Sequence, residues 1–67
     1  MLGKRIKKFI DGRGIKQTFL AAKVGISDGA MSAICAGDRS IDAVEYYQIC
    51  KALDVPLEYF FSDDESN

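Results

Sequence analysis

The sequence predicts an all-α fold, a compact bundle of five helices. Apolar residues recur at three- and four-residue spacing in successive segments, and no segment alternates polar and apolar residues convincingly as a strand does. Gly, Asp and Pro residues separate these segments, so the connections are only a few residues long. With 67 residues, 48% apolar and 28% charged, the chain has the composition of one folded domain.

The first helix is predicted over residues 2–12, with Gly12 and Gly14 ending it. Its apolar residues share one face and its charged residues the opposite face, as in a helix that covers a core. The apolar stripe contains Leu2, Ile6, Phe9 and Ile10, and the charged face contains Lys4, Lys7, Lys8 and Asp11.

The second and third helices are predicted as a pair joined by a tight turn. The second covers residues 17–24, Gly25 supplies the positive φ of the turn, and Ser27 is the N-cap of a third helix that Gly37 closes. Ala21 is the small residue where the two helices cross closely. Their shared core is expected to contain Leu20, Val24, Ile26, Met31 and Ile34. This spacing is typical of a helix-turn-helix motif, which indicates DNA binding.

The fourth helix begins at a predicted capping box, Asp42 with Glu45 three residues later, and ends near Asp54. Its inward stripe is formed by Tyr46, Ile49, Cys50 and Leu53. Residues 57–61, LEYFF, are predicted to add a fifth, short helical turn. The polar sequence SDDESN at residues 62–67 then predicts an acidic flexible tail, so the folded domain is expected to cover residues 1–61.

The formal net charge of −1 conceals an uneven distribution along the chain. Residues 1–39 hold eight basic and three acidic residues, whereas residues 40–67 hold one basic and seven acidic residues. The positive electrostatic field of residues 1–39 favours binding to phosphate. The alternative is that its Lys and Arg side chains only solubilise exposed helix faces.

The sequence offers no cofactor, metal or catalytic chemistry. Because the chain has no His, Cys35 and Cys50 cannot build a Cys/His zinc site, and we expect both to be reduced packing residues of a cytoplasmic protein. The absence of a phosphate-cradling Gly-rich loop and of paired carboxylates argues against an enzyme. No apolar run reaches the roughly 18 residues of a membrane span. No membrane association and no small-molecule ligand are therefore expected.

Over roughly residues 3–61 the chain resembles the Cro/C1-type (XRE-like) helix-turn-helix family of phage and bacterial repressors. The residues that fit the family's motif are Gln17, Leu20, Ala21, Lys23, Val24, Gly25, Ile26, Ser27, Met31, Ser32, Ile34 and Gly37. The segment KALDVPLEYFF, residues 51–61, is similar to the family's common ending. The resemblance implies a lambda-repressor-like domain, a transcriptional regulator that docks helix 3 in the major groove of operator DNA as a homodimer. A protein-interaction module or antitoxin remains the alternative, with Ala30, Ala33 and Ala36 meeting a protein surface.

The resemblance also assigns phosphate contacts. Gln17 stands at the family's phosphate-binding start of helix 2, although it can equally be an exposed residue at a helix start. The positions after helix 3 that carry basic residues in the family correspond to Asp38, Arg39 and Ser40, and only Arg39 retains a positive charge. Lys16 and Lys23 are expected to supplement these contacts.

The base-facing positions of the family correspond to residues that lack long polar side chains here, namely Ser27, Asp28, Gly29, Ser32 and Ala33. No bidentate reader of guanine or adenine is among them, so we expect modest discrimination between sequences and a strong dependence on salt. Asp28 has an alternative role, because an acidic first turn is favoured by the helix dipole by about 0.3–1 kcal/mol. Gly29 costs about 1 kcal/mol in a helix, which indicates either close approach to DNA or a loosely formed helix start.

The aromatic residues near the end of the chain predict self-association. Tyr46 and Phe60 are in phase with the core, whereas Tyr59, Phe61 and Tyr47 are expected at a dimer interface, with Tyr59 closest to the family's interface position. Two recognition helices about 34 Å apart then fit one turn of DNA. The alternative is a monomer that packs all its aromatic residues.

Overall fold

Four α-helices and a final 3₁₀ turn make up the part of the chain that our computed structural model describes, residues 2–61. The elements are α1 (Leu2–Arg13), α2 (Gln17–Val24), α3 (Asp28–Ala36), α4 (Ala43–Leu53) and the 3₁₀ turn Tyr59–Phe61. No strand occurs within these residues, and the predicted all-helical fold is confirmed. The count of five helices is not confirmed, because the last segment completes only one turn with i to i−3 hydrogen bonds. The predicted acidic tail lies outside the described residues.

The helix ends follow most of the local signals in the sequence, but α1 continues through Gly12 to Arg13 and ends before Gly14, so the predicted end at Gly12 is wrong. Ser27 Oγ accepts a hydrogen bond from the Ala30 N–H at 3.0 Å, so α3 is capped and formed from its first residue, and the loose start considered for it is not found. Gly25 and Gly37 adopt the left-handed conformation, with φ of 87° and 85°. The capping box of Asp42 and Glu45 is also present.

The core lies between all four helices and the 3₁₀ turn. Its fully or almost fully buried side chains belong to Ile6, Ile10, Leu20, Ala21, Met31, Ile34, Cys35, Ile49, Cys50, Leu53 and Phe60. Both cysteines are free and buried, which confirms their predicted packing role. Burial raises the pKa of the Cys35 thiol and keeps it protonated.

Two contacts of α1 join it to distant parts of the chain. A Cβ atom built on Gly3 would lie 1.9 Å from the Ile34 carbonyl oxygen, so α1 crosses α3 at a distance that only glycine permits. Further along α1, Arg5 Nη1 donates to the Phe60 carbonyl at 2.7 Å and fixes the 3₁₀ turn. Neither contact is visible in the sequence pattern.

Among the described residues, no single helix has the length and apolar character needed to cross a membrane. Only α2 and α3 taken together meet those two requirements, and the chain bends by 113° between them. Both helices contribute fully buried side chains to the core, Leu20 from α2 and Met31 from α3.

Candidate nucleic-acid interface

The turn between α2 and α3 sets the geometry of the candidate interface. The two helices are bent by 113° with respect to each other, within the range of the helix-turn-helix motif. The N–H groups of Gly25 and Ile26 both donate to the Ala21 carbonyl, at 2.9 and 3.1 Å, and Ala21 itself is fully buried. The predicted role of Gly25 in the turn is confirmed, and Ala21 is buried, as expected of a small residue at the crossing.

The exposed side of α3 carries the five predicted base-facing residues at its N-terminal end. Residues 28, 29, 32 and 33 follow the i, i+1, i+4, i+5 pattern of one helix face, and the N-cap residue 27 precedes them. Four of the five are exposed and Ala33 is half-buried; the exposed ones are Ser27, Asp28, Gly29 and Ser32. No side chain among these five residues is longer than that of Asp28.

The start of α2 differs from the starts of α3 and α4. Ser27 and Asp42 cap those two helices with side-chain oxygens, whereas Lys16 occupies the N-cap position of α2 and makes no capping hydrogen bond. The first N–H groups of a helix have no partner within it, so those of α2 remain available to an external acceptor. An exposed Lys16 and a half-buried Gln17 stand beside them, a combination that suits an anion.

Arg39, the predicted phosphate contact after α3, forms an ion pair that the sequence did not predict. Its Nη1 and Nη2 atoms donate to Glu45 Oε1 and Oε2, each at 2.9 Å, and Nη1 also donates to the Ser40 carbonyl at 3.2 Å. The hydrogen bond from Arg39 and the one from the Asp42 N–H lower the pKa of Glu45, and the bond to Glu45 raises the pKa of Arg39. The Arg39 side chain remains 39% exposed, so it is held in place without being covered.

Lys23 lies at the opposite end of α2 from Lys16. Its Nζ atom sits 5.6 Å from the centroid of the exposed Phe19 ring. Together with Gln48, Lys51 and Ala52 it lines an open cleft of about 310 Å³ between α2 and α4. The structure therefore does not group Lys23 with the other predicted phosphate contacts.

The predicted dimer residues divide into two groups. Tyr59 packs edge-on against Phe9, with ring centroids 5.3 Å apart, and Phe61 packs against Tyr46 at the same distance. Tyr47 makes no aromatic contact within the described residues, and the Lys51 Nζ atom lies 5.9 Å from its ring centroid. Tyr59 and Phe61 are thus parts of one aromatic cluster, because Phe60 contacts both Phe9 and Tyr46. Leu57, two positions before Tyr59, is a further exposed apolar residue.

Tyr46 anchors this aromatic cluster to the fold. Its hydroxyl donates to the Leu57 carbonyl, and burial raises its pKa to about 12. The phenol therefore stays neutral and keeps its hydrogen bond across the physiological pH range. Residues 57–61 are consequently held to α4 through the Leu57 carbonyl and the Phe61 ring.

Comparison with known proteins agrees with this geometry. A model of the helix-turn-helix family matches residues 6–60. The chain is also similar to a protein of Rhodospirillum rubrum named an uncharacterized transcriptional regulator in the ATPase CF(0) region, with 36% identity over 64 residues. That match covers 96% of this chain and 59% of the relative, so the chain spans somewhat more than half of the relative's length.

Proposed function

The chain belongs to the Cro/C1-type helix-turn-helix family, and we propose on this basis that it is a transcriptional regulator that binds double-stranded DNA with α3 in the major groove. The observation that carries the proposal is the exposed, unobstructed face of α3, held by a well-formed turn against α2. The family and the name of the relative point to regulation rather than catalysis, and we assign no catalytic role and a cytoplasmic location.

We assign the DNA backbone contacts to both sides of α3. On one side, the uncapped start of α2 offers its N–H groups with Gln17 and Lys16 to a phosphate. On the other side, Arg39 follows the end of α3 and presents an exposed guanidinium. Lys23, at the far end of α2, contributes attraction at longer range.

We assign base contacts to Ser27, Asp28, Gly29, Ser32 and Ala33, and these contacts are short. Ser27 uses one lone pair in the cap but retains its hydroxyl proton for an external acceptor, and Ser32 is exposed. Without long bidentate side chains, selectivity depends on the shape of the site and on bridging water molecules. Phosphate contacts then supply most of the affinity.

We propose that the protein acts as a two-fold dimer and as a repressor. Leu57, Tyr59 and Phe61 expose 50%, 43% and 61% of their surface within one five-residue segment, which suits self-association. The molecule measures 32 × 24 × 23 Å, so two neighbouring copies can place their α3 helices about 34 Å apart, one turn of DNA. Repression requires only that such a dimer occupy an operator.

A protein-docking role is the second candidate, because Ala30, Ala33 and Ala36 give α3 small apolar residues beside its polar edge. The two roles differ in their response to salt. Two subunits supply four cations from Lys16 and Arg39, or six if Lys23 also contributes. Neutralisation of one phosphate by each cation predicts that the log of the binding constant falls with the log of the salt concentration with a slope of about −4 to −5. An apolar protein interface predicts a shallow slope.

The test is selection of bound duplexes from a random library at low salt, followed by binding measurements over a salt series. We expect enriched sites with paired half-sites one helical turn apart and a steep salt slope. Lys16→Ala should reduce the slope by about 0.9 for each phosphate that the variant no longer neutralises, whereas Lys51→Ala on α4 should leave the slope unchanged. Recovery of no bound duplex at low salt would contradict the proposed function.

A further inference from the structure

We propose that Glu45 is a positioning residue for DNA binding: it holds one edge of the Arg39 guanidinium so that the other edge meets a phosphate. The inference rests on the proposed function and adds to it a residue that touches no DNA. Neither the family pattern of the sequence nor the helix-turn-helix motif itself includes Glu45.

The hydrogen bonds of Arg39 leave one edge of its guanidinium open. A guanidinium has five N–H donors, and three of them are used, two on Nη1 and one on Nη2. The remaining two, on Nε and Nη2, point to the same side, and no acceptor for them is present among residues 2–61. Two parallel N–H groups are the arrangement that binds two oxygens of a phosphate.

Glu45 is itself fixed by the start of α4. Its backbone N–H donates to Asp42 Oδ1 at 2.7 Å, and its Oε1 accepts from the Asp42 N–H at 3.2 Å. The Glu45 side chain is only 14% exposed, whereas the Arg39 side chain is 39% exposed. The capping box of α4 therefore provides a rigid base, and the arginine extends from it towards solvent.

This arrangement reduces the entropy that Arg39 loses on binding. Arginine is among the side chains with the most rotamer freedom to lose when they are immobilised. The two bonds to Glu45 remove part of that freedom before DNA arrives. The opposite hypothesis is that Glu45 competes with phosphate and must release Arg39, in which case the pair would inhibit binding.

A double-mutant cycle on Arg39 and Glu45 separates the two hypotheses by the sign of the coupling. Glu45→Gln keeps an oxygen for the Asp42 N–H, so the capping box remains, but it removes the charge pair. Loss of a negative charge near DNA can raise affinity in either case, but the comparison within each background cancels this effect. We expect Arg39→Ala to weaken binding about tenfold in the native background and about threefold or less with Glu45→Gln.

The matched control is the pair Lys7 and Asp11 on α1, an exposed ion pair with N–O distances of 2.9 and 2.8 Å. The same cycle with Lys7→Ala and Asp11→Asn should show no coupling in DNA binding. Thermal unfolding followed by circular dichroism verifies that each variant is folded. A cost of Arg39→Ala that is equal or larger in the Glu45→Gln background would overturn the proposal, as would a native Arg39→Ala variant that binds unchanged.

A direct readout is the NMR signal of the Arg39 Nε–H group, which the pair with Glu45 leaves free. On addition of the selected duplex, this signal should shift and become protected from exchange with water. In the Glu45→Gln variant the shift should be smaller at saturation. If the native protein binds DNA and the Nε–H signal does not change, the positioning role is wrong while the proposed function stands. If the native protein binds no duplex, both fail together.

Discussion

Gly29 has no structural reason to be a glycine. It lies in the first turn of α3, and a Cβ atom built on it would meet only Ser27 Oγ, 4.0 Å away. Glycine in a helix costs about 0.5–1 kcal/mol relative to alanine, and α3 is nevertheless capped and well formed. The fold therefore gives no reason for the absence of a side chain, and close approach of the backbone to DNA is the explanation we propose.

Gly29→Ala should separate stability from binding. We expect the free energy of unfolding to rise by about 0.5–1 kcal/mol, because alanine favours the helix and the added methyl group has room. DNA affinity should fall about tenfold, which corresponds to about 1.4 kcal/mol. Urea unfolding and band-shift titration measure the two effects.

Gly12→Ala on α1 is the control, because a Cβ atom there also meets nothing within 4 Å. It should raise stability similarly and leave binding unchanged. If Gly29→Ala binds DNA as tightly as the native protein, the backbone of α3 does not approach the groove closely.

Glu45 makes the stability of the fold depend on pH. The pKa of Glu45 is lowered from its ordinary value of 4.5, first by the hydrogen bond from Arg39 and then by the one from the Asp42 N–H. A lowered pKa means that the charged form is favoured in the folded state. The resulting stabilisation is present above pH 4.5 and is lost as the pH falls through the folded-state value.

We therefore expect the stability of the native protein to decrease more steeply than that of the Glu45→Gln variant as the pH falls below 4.5. Urea unfolding at a series of pH values measures the difference. Parallel curves for the two proteins would show that the pair contributes nothing to folding in solution.

At the scale of elements, the packing of α1 on α3 depends on Gly3. A methyl group at this position would overlap the Ile34 carbonyl oxygen, because the two atoms would be 1.9 Å apart. The carbonyl belongs to the backbone of α3, so it cannot rotate away as a flexible side chain would. Only a shift of one helix relative to the other relieves the overlap.

Gly3→Ala should accordingly destabilise the protein by about 1–3 kcal/mol, although alanine is the better helix former. The measurement is thermal or urea unfolding, with Gly12→Ala on the same helix as the comparison. A stabilising effect of Gly3→Ala would mean that α1 does not cross α3 at this distance. The contrast between the two glycines tests the tertiary contact rather than helix propensity.

At the scale of the whole molecule, the distribution of exposed apolar residues decides where a second copy can bind. Leu57, Tyr59 and Phe61 lie within one five-residue segment, in which Tyr59 packs against Phe9 and Phe61 against Tyr46. Val44 and Tyr47 are also exposed but lie on α4 outside the aromatic contacts. We expect the first group to form the dimer interface and the second to remain outside its centre.

Phe61→Glu should convert the protein to a monomer, because a charge at a 61% exposed position disrupts an apolar interface more than the fold. Val44→Glu, at a position 69% exposed, is the matched control and should leave the dimer intact. Sedimentation equilibrium at micromolar concentration measures the mass. A native protein found only at the chain mass of 7.4 kDa would contradict dimerisation.

The local structure of this protein could be predicted from its sequence. The extent of α2, the positive φ at Gly25, the cap at Ser27 and the box of Asp42 and Glu45 all depend on a few neighbouring residues, and all were predicted. The exposed face of α3 followed from the same periodicity. Local hydrogen bonds and turn conformations can be predicted because their partners lie within four residues of each other.

Contacts between distant or irregular segments could be found only in the folded molecule. The Gly3 contact joins residues 31 positions apart in the sequence, and the Arg5 bond to Phe60 joins residues 55 positions apart. The path of the loop after α3 determines that Arg39 meets Glu45, and no periodicity encodes that path. The separation of Tyr47 from Tyr59 and Phe61 was likewise found only in the folded molecule. The helical period determines which residues share a face of one helix, whereas the tertiary fold determines which of these faces meet.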